Sequence, residues 1–359
     1  MERTLLGKEA RYPSGLQQIG VGAFAWLQPN GEWGESNAGV VVGDGEALLI
    51  DTLWDLRLTQ RMLDAVATEV DEPIRTLVNT HSDGDHVWGN QLVPGAHVVA
   101  TGAAARLIRE ESPGALQRFK QLAAALRLIG RLPLPVIGTL PVPRLPRVPL
   151  RTLGEYIGWM LAPYDFSGIR VTAPTREFGG ELRLDVGGRE VRLIEVGPAH
   201  TPGDLIVHVP DAGIVFAADV MFVDVAPVMW AGPTAGWIAA LDQILELDPA
   251  VVVPGHGPVS DQSEVKVLRD YLEWVDTQAR PRLAAGATVP DVARELLRSD
   301  DYRTAPWDWW DSPERILITI ATIERHRRGA AGPVSARERM ALFAQVAVLA
   351  KELVGERRA

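Results

Sequence analysis

The segment THSDGDHVWGN, residues 80–90, places His81, Asp83, Asp85 and His86 within six positions, in a chain that holds only seven histidines. Imidazole nitrogen and carboxylate oxygen at such spacing are metal donors. Three more stretches offer the same chemistry: GPAHTPGD (197–204) with His200, FAADVMF (216–222) with Asp219, and VPGHGP (253–258) with His256. Each donor directly follows a predicted strand, so loops at one rim of a sheet can bring the side chains together. A lone loop histidine more often only hydrogen-bonds. The set, in this order, carries the argument. Two cations ~3.5–4 Å apart acidify a shared water, and a bridging carboxylate offsets their repulsion.

The elements that must position these residues are legible in outline. Residues 17–51 read as short strands with Gly and Asn turns, and ALLIDT (47–52) as a buried strand ending in Asp51. LRLTQRMLDAVATEV (56–70) has helical spacing at Leu58, Met62, Val66 and Val70. IRTLVNT (74–80) is a strand that delivers the His81 run, and HVVAT (97–101) is another. Residues 102–129 read as apolar helix. GRLPLPVIGTLPVPRLPRVP (130–149) holds six prolines, which argues against regular helix or sheet. LGEYIGWMLAPYDF (153–166) is apolar and aromatic. The stretch 102–178 is therefore expected to be an apolar, lid-like insertion rather than a linker, with a packing or oligomer surface as the plainer alternative.

Strand character returns in a hairpin with a Gly-Gly turn (181–196), then at 205–210 and 213–219. WIAALDQILEL (237–247) reads as helix and AVVVPGHGP (250–258) as a strand running into a loop. Beyond 261 the chain is mostly helical, and SARE (335–338) reads as a capping box. WDWWDSPE (307–314) reads first as core or interface aromatics and second as a pocket wall. His97 and His208 read as strand residues, His326 as a surface residue.

Composition narrows the classes. The chain has 359 residues, a formal net charge of -10 and no cysteine. The acidic balance argues against a nucleic-acid partner. Disulfides, thiolate metal sites and a cysteine nucleophile are excluded. The N-terminal stretch lacks a signal-peptide core, and no apolar run approaches the ~20 residues of a membrane helix. A cytoplasmic protein with no membrane partner is expected.

Taken in order, these motifs resemble the metallo-β-lactamase superfamily over roughly residues 17–260. Its pattern is H-x-H-x-D-H, a single His in a G-x-x-H-T-P-G-type loop, an Asp after a strand and a late His. The resemblance implies an α+β fold, the αββα sandwich, as a domain over 1–260 with the 102–178 insertion. Residues 261–359 would form a C-terminal helical extension packed on it. It implies that His81, Asp83 and His200 hold one metal, that Asp85, His86 and His256 hold the second, and that Asp219 bridges them. Asp85 and Asp219 would be the catalytic carboxylates, with Asp85 also orienting the water. Asp51 would support the ligand loop from behind, its plainer alternative being a strand-end turn cap. Thr201 and Asp204 would shape the His200 loop.

Asp83 is the departure, because the family pattern has a histidine there. A hard oxygen donor in place of imidazole favours iron, with zinc still acceptable. Acidic residues at this position resemble flavodiiron proteins and a diiron hydroxylase type, but no flavin-phosphate loop follows residue 260. Within the superfamily the chain is similar to the diiron acyl-CoA thioesterase type of platensimycin and platencin biosynthesis. That likeness implies hydrolysis of a bulky hydrophobic acyl-CoA thioester by a metal-bridging hydroxide. Trp159, Met160, Tyr164 and Phe166 would line the substrate pocket. Another ester or lactone with zinc, and a diiron oxygenase, stay open, as does a homo-oligomer.

Overall fold

A computed structural model describes residues 3–129, 150–330 and 334–356. The proline-rich stretch 130–149 lies outside the described residues. Two sheets face each other. The first runs in order β1 (Gly15–Gly20), β2 (Ala23–Leu27), β3 (Ala38–Gly43), β4 (Glu46–Ile50), β5 (Ile74–Val78), β6 (His97–Thr101) and β7 (Arg176–Phe178). It is antiparallel from β1 to β4 and parallel from β4 to β7. The second comprises β8 (Glu181–Val186), β9 (Arg189–Glu195), β10 (Leu205–Val209), β11 (Ile214–Phe222) and β12 (Val251–His256). It is antiparallel from β8 to β11 and parallel from β11 to β12. This is the αββα sandwich expected from the motifs.

Side-chain alternation explains the layers. Leu48 and Ile50 of β4 meet Val207 of β10 and Phe216 of β11 in the core between the sheets. Ala47 and Leu49 point the other way, into the layer that holds Leu58, Met62 and Val66 of the helix Leu56–Glu69. A strand buried on both faces must be apolar at every position, which is why ALLI shows no polar alternation. That helix begins where the Asp55 carboxylate accepts from Leu58 N at 2.7 Å, an N-cap worth about 1 kcal/mol. The β8–β9 hairpin turns through Gly187 and Gly188, both at positive φ, as a two-residue turn between twisted strands requires.

The stretch 102–178 is more divided than the sequence suggested. Helices Gly102–Glu110 and Pro113–Ile129 are separated by Glu111 and Ser112, and a third helix spans Leu150–Leu161. Its end, Arg176–Phe178, is β7, which pairs with β6 and so belongs to the sandwich. The C-terminal extension contains helices Gln262–Ala284, Val289–Arg298, Ile316–Arg327 and Ala336–Glu356. The capping box forms: Ser335 Oγ accepts from Glu338 N at 3.3 Å, and Glu338 Oε2 from Ser335 N at 3.0 Å. Trp307 and Trp310 are buried against Tyr271 and, for Trp307, Trp274. They are core residues of the extension, while Trp309 is exposed under Arg11. Among the described residues, no helix is long and apolar enough to cross a membrane.

Candidate metal centre

The donors arrive from strand ends of both sheets. β5 leads to His81, and Asp83 precedes the single turn Gly84–Val87 that carries Asp85 and His86. His200 sits in the β9–β10 loop. Asp204 builds that loop by accepting from Ala199 N at 3.2 Å and from Thr201 N at 2.9 Å. Two expectations need correction. Asp219 does not follow its strand but lies within β11, and His256 ends β12 rather than occupying the next loop. Ala218 adopts φ +45 beside a register break, so the chain bulges at the site and the strand then resumes to Phe222. Bulges re-aim side chains in this way. Gly255 lies beneath: a Cβ there would stand 1.9 Å from Asp219 Oδ1, so the Gly of VPGHGP makes room for the carboxylate.

Two donor groups result, His81–Asp83–His200 and Asp85–His86–His256, each with its ligand atoms within 4.8 Å of one another. Asp219 stands between them. Its Oδ1 is 3.0 Å from His86 Nε2, and its Oδ2 is 3.3 Å from His200 Nε2, 3.5 Å from His256 Nε2 and 3.8 Å from His81 Nε2. Each imidazole is held from behind through Nδ1. His86 Nδ1 meets Asp51 Oδ2 at 3.0 Å, and His256 Nδ1 meets the Gly31 carbonyl at 3.0 Å. His200 Nδ1 meets the Val228 carbonyl at 2.5 Å, and His81 Nδ1 meets Thr80 Oγ1 at 3.0 Å. Asp51 also accepts from Thr80 N and from the Thr80 hydroxyl, at 2.8 and 2.6 Å.

This pattern assigns Nδ1–H to all four rings and points a bare Nε2 lone pair at Asp219. Lone pairs facing a carboxylate repel unless a proton or a cation lies between them. Within this cluster His81 Nε2, His86 Nε2 and Asp219 Oδ1 have no hydrogen-bond partner although buried. Buried polar atoms rarely go unpaired, so the donor set fits metal ions. Charges show the same tension. Burial and the neighbouring His86 press His81 down to about 4. Burial also disfavours imidazolium at His200, but Asp219 and Asp83 outweigh it and raise that ring to about 9. Burial raises Asp83, yet the His200 hydrogen bond and the charges of His200, His81 and Arg339 hold its carboxyl below the ordinary range.

Three of the four residues expected to line the substrate pocket are buried, and Tyr164 and Phe166 pack with Trp54. Tyr164 packs tilted against Trp54, with centroids 4.6 Å apart, and Phe166 meets Trp54 and Trp88 edge-on at 5.3 and 5.4 Å. Met160, Tyr164 and Phe166 are buried, and the Tyr164 hydroxyl donates to the Trp33 carbonyl at 2.7 Å. Trp159 is partly buried next to Tyr156. His97 and His208 are strand residues, as read. His326 is not a surface residue: it is partly buried and its Nε2 lies 2.6 Å from the Ala231 carbonyl, tying the extension to the His200 loop. Sequence reasoning also missed Glu111, which burial and the Asp83 charge raise to about 7, and Arg339. Neither lies in a motif; only folding brings their charges to Asp83.

The family model of the Metallo-beta-lactamase superfamily matches residues 31–256. A linear primary-alkylsulfatase from Pseudomonas sp. (strain ATCC 19151) is 22% identical over 262 residues, covering 69% of this chain and 47% of its own length. The sec-alkylsulfatase Pisa1 from Pseudomonas sp. has a similar fold, with TM-score 0.62 and 16% identity over 87% of this chain and 50% of its own. A metallo-beta-lactamase from Pontibacter korlensis aligns with TM-score 0.52 and 19% identity, covering 73% of this chain and 99% of its own. The chain thus spans about half the length of the alkylsulfatases it matches. The matched segment contains every donor of the cluster, and the chain belongs to the metallo-β-lactamase superfamily.

Proposed function

We propose that this chain is a dinuclear metal-dependent hydrolase of an amphiphilic ester, best read as the thioester of a bulky apolar acyl-CoA. One observation carries the hydrolase reading: four Nε2 atoms and the carboxylates of Asp83 and Asp85 surround Asp219 at a rim that reaches solvent. Bound there, two cations would supply Lewis acidity and a water acidified towards neutral pH. Asp219 would offset the repulsion between them. Asp85, whose side chain is 17% exposed, would orient that water. A thiolate leaves with little acid assistance because thiols are fairly acidic. The aromatic residues around Trp159 and Tyr164 support an apolar acyl group. The alkylsulfatase relatives favour a second reading, a sulfate ester on an apolar chain.

Each donor group holds two imidazoles and one carboxylate. Zinc hydrolases and non-haem iron sites both use that set, and the hard oxygen donor at Asp83, where the family pattern has imidazole, is what favours iron. Metal analysis of the protein as purified tests this. Activity is tested by thiol release from acyl-CoAs and sulfate release from alkyl sulfates, with and without chelator. The chain has no cysteine, so the thiol reagent sees no background. Chelator-sensitive thiol release that favours bulky acyl groups is expected. Sulfate release alone would replace the thioester by the sulfate ester. Neither release, with oxygen uptake by the iron-loaded protein, would overturn the hydrolase in favour of an oxygenase.

A further inference from the structure

The C-terminal helix Ala336–Glu356 brings a guanidinium to Trp230, the residue whose backbone holds the His200 carbonyl. Arg339 lies over the Trp230 ring, 4.6 Å from its centroid. Trp230 N donates in turn to the His200 carbonyl at 2.9 Å. The charge of Arg339 acts on Asp83 and Glu111. Even so, among the described residues no carboxylate forms an ion pair with it. Trp230 packs on Phe343 of the same helix, and Phe343 on Trp33, with centroids 6.0 and 5.4 Å apart. Arg315 backs Trp33 at 4.2 Å and is itself buried, with Nε and Nη2 lacking acceptors among the described residues. An apolar wall of Trp33, Phe343 and Trp230 therefore carries a guanidinium at each end, one partly open and one buried.

Charge gives this arrangement a purpose. Asp83 adds a negative charge where the family pattern has a neutral imidazole, which weakens the pull of the centre on an anion. The positive charge of Arg339, which acts on Asp83, offsets that loss. The Trp230 face covers one side of the guanidinium, and its N–H groups, which pair with no carboxylate among the described residues, can grip an oxyanion with two hydrogen bonds. We propose that Arg339 is the oxyanion anchor of this site. It holds a sulfate-type or phosphate-type group of the substrate on the Asp83 side, with the apolar part along the Trp33–Phe343–Trp230 wall. The anchor rests on the reading of the centre as a hydrolase of an amphiphilic ester, and it adds the residue that reads the anionic end.

Calorimetric titration of the metal-loaded full chain tests it with three probes that lack the scissile ester: octane-1-sulfonate, coenzyme A and the neutral octan-1-ol. Arg339→Ala is expected to weaken at least one anion about 10-fold or more relative to octan-1-ol, and Arg339→Lys to recover part of the loss. A loss for the sulfonate alone identifies a sulfate-type group, and a loss for coenzyme A alone a phosphate-type group. Equal losses for anions and alcohol, no loss, or no anion binding by the wild-type protein overturns the anchor. Metal content is measured for each variant, and Arg339→Gln replaces Ala if that variant loses metal or fails to fold. Turnover of the ester panel is scored separately. A failed anchor then leaves the hydrolase standing, and an inactive protein that still binds anions through Arg339 fails only the hydrolase.

Discussion

The Asp85–His86–His256 half of the metal centre is held from within the sandwich, whereas the His81–Asp83–His200 half leans on the extension. His86 is locked by Asp51, which is itself fixed by Thr80, and His256 by the Gly31 carbonyl and by Phe222 stacked parallel at 5.2 Å. In the other half, the His200 carbonyl accepts from Trp230 N and Ala231 N, and the Ala231 carbonyl is held by His326 of the extension. Solvent reaches both halves, since Asp83 and Asp85 keep 22% and 17% of their side chains exposed. The donor types match, two imidazoles and one carboxylate on each side. What differs is support. One half is braced inside the sandwich, while the other is tied through Trp230 and Ala231 to the extension that carries Arg339.

Removing the shared residue should have the largest effect. Asp219→Ala should abolish turnover and lower metal content in both halves, beyond the ~10–100-fold cost of losing an outer support. Retained turnover with two metals bound would refute the bridging role. Asp51→Ala should weaken metal binding ~10–100-fold, more in the His86 half, which Asp51 contacts directly, than in the His81 half, which it reaches through Thr80. A stepwise competition titration would show two unequally weakened sites, and equal weakening of both would erase the difference in support.

Asp83→His makes the halves chemically unlike and should raise the zinc-to-iron ratio of the purified protein. An unchanged ratio would mean that the carboxylate does not set metal choice. The smallest effect concerns pH in the metal-free protein. There His200 is raised to about 9 from its ordinary 6.5. A raised histidine contributes its full stability below 6.5 and loses it as pH rises through 9. The melting temperature of chelated protein should therefore fall over that window, and bound metal, which needs neutral imidazole, should flatten the fall. A chelated protein with a flat profile would contradict the His200–Asp219 coupling.

The donor set was legible because each donor sits beside a short strand with a strong apolar signature. The supports were not. Carbonyls of Gly31 and Val228 could belong to any residue type, so no side chain announces them. Asp219 reads as a residue after a strand because Ala218 hides a bulge that no propensity marks. His326 reads as a surface residue in ERHRR, yet its helix turns that ring toward Ala231. Arg339 lies 83 positions beyond the last metal-ligand candidate, His256, with nothing in its own segment to connect it to chemistry.

The sequence by itself determined the sandwich, the residues able to hold two metals and the extra carboxylate at Asp83. Local hydrophobic period and donor type are properties of short segments, so both are legible before the chain folds. Tertiary structure alone decided the convergence on Asp219, the tautomer of each ring and the seat of Arg339 on Trp230. These depend on how segments far apart in the chain pack, and on which backbone carbonyls and charges that packing leaves facing the centre.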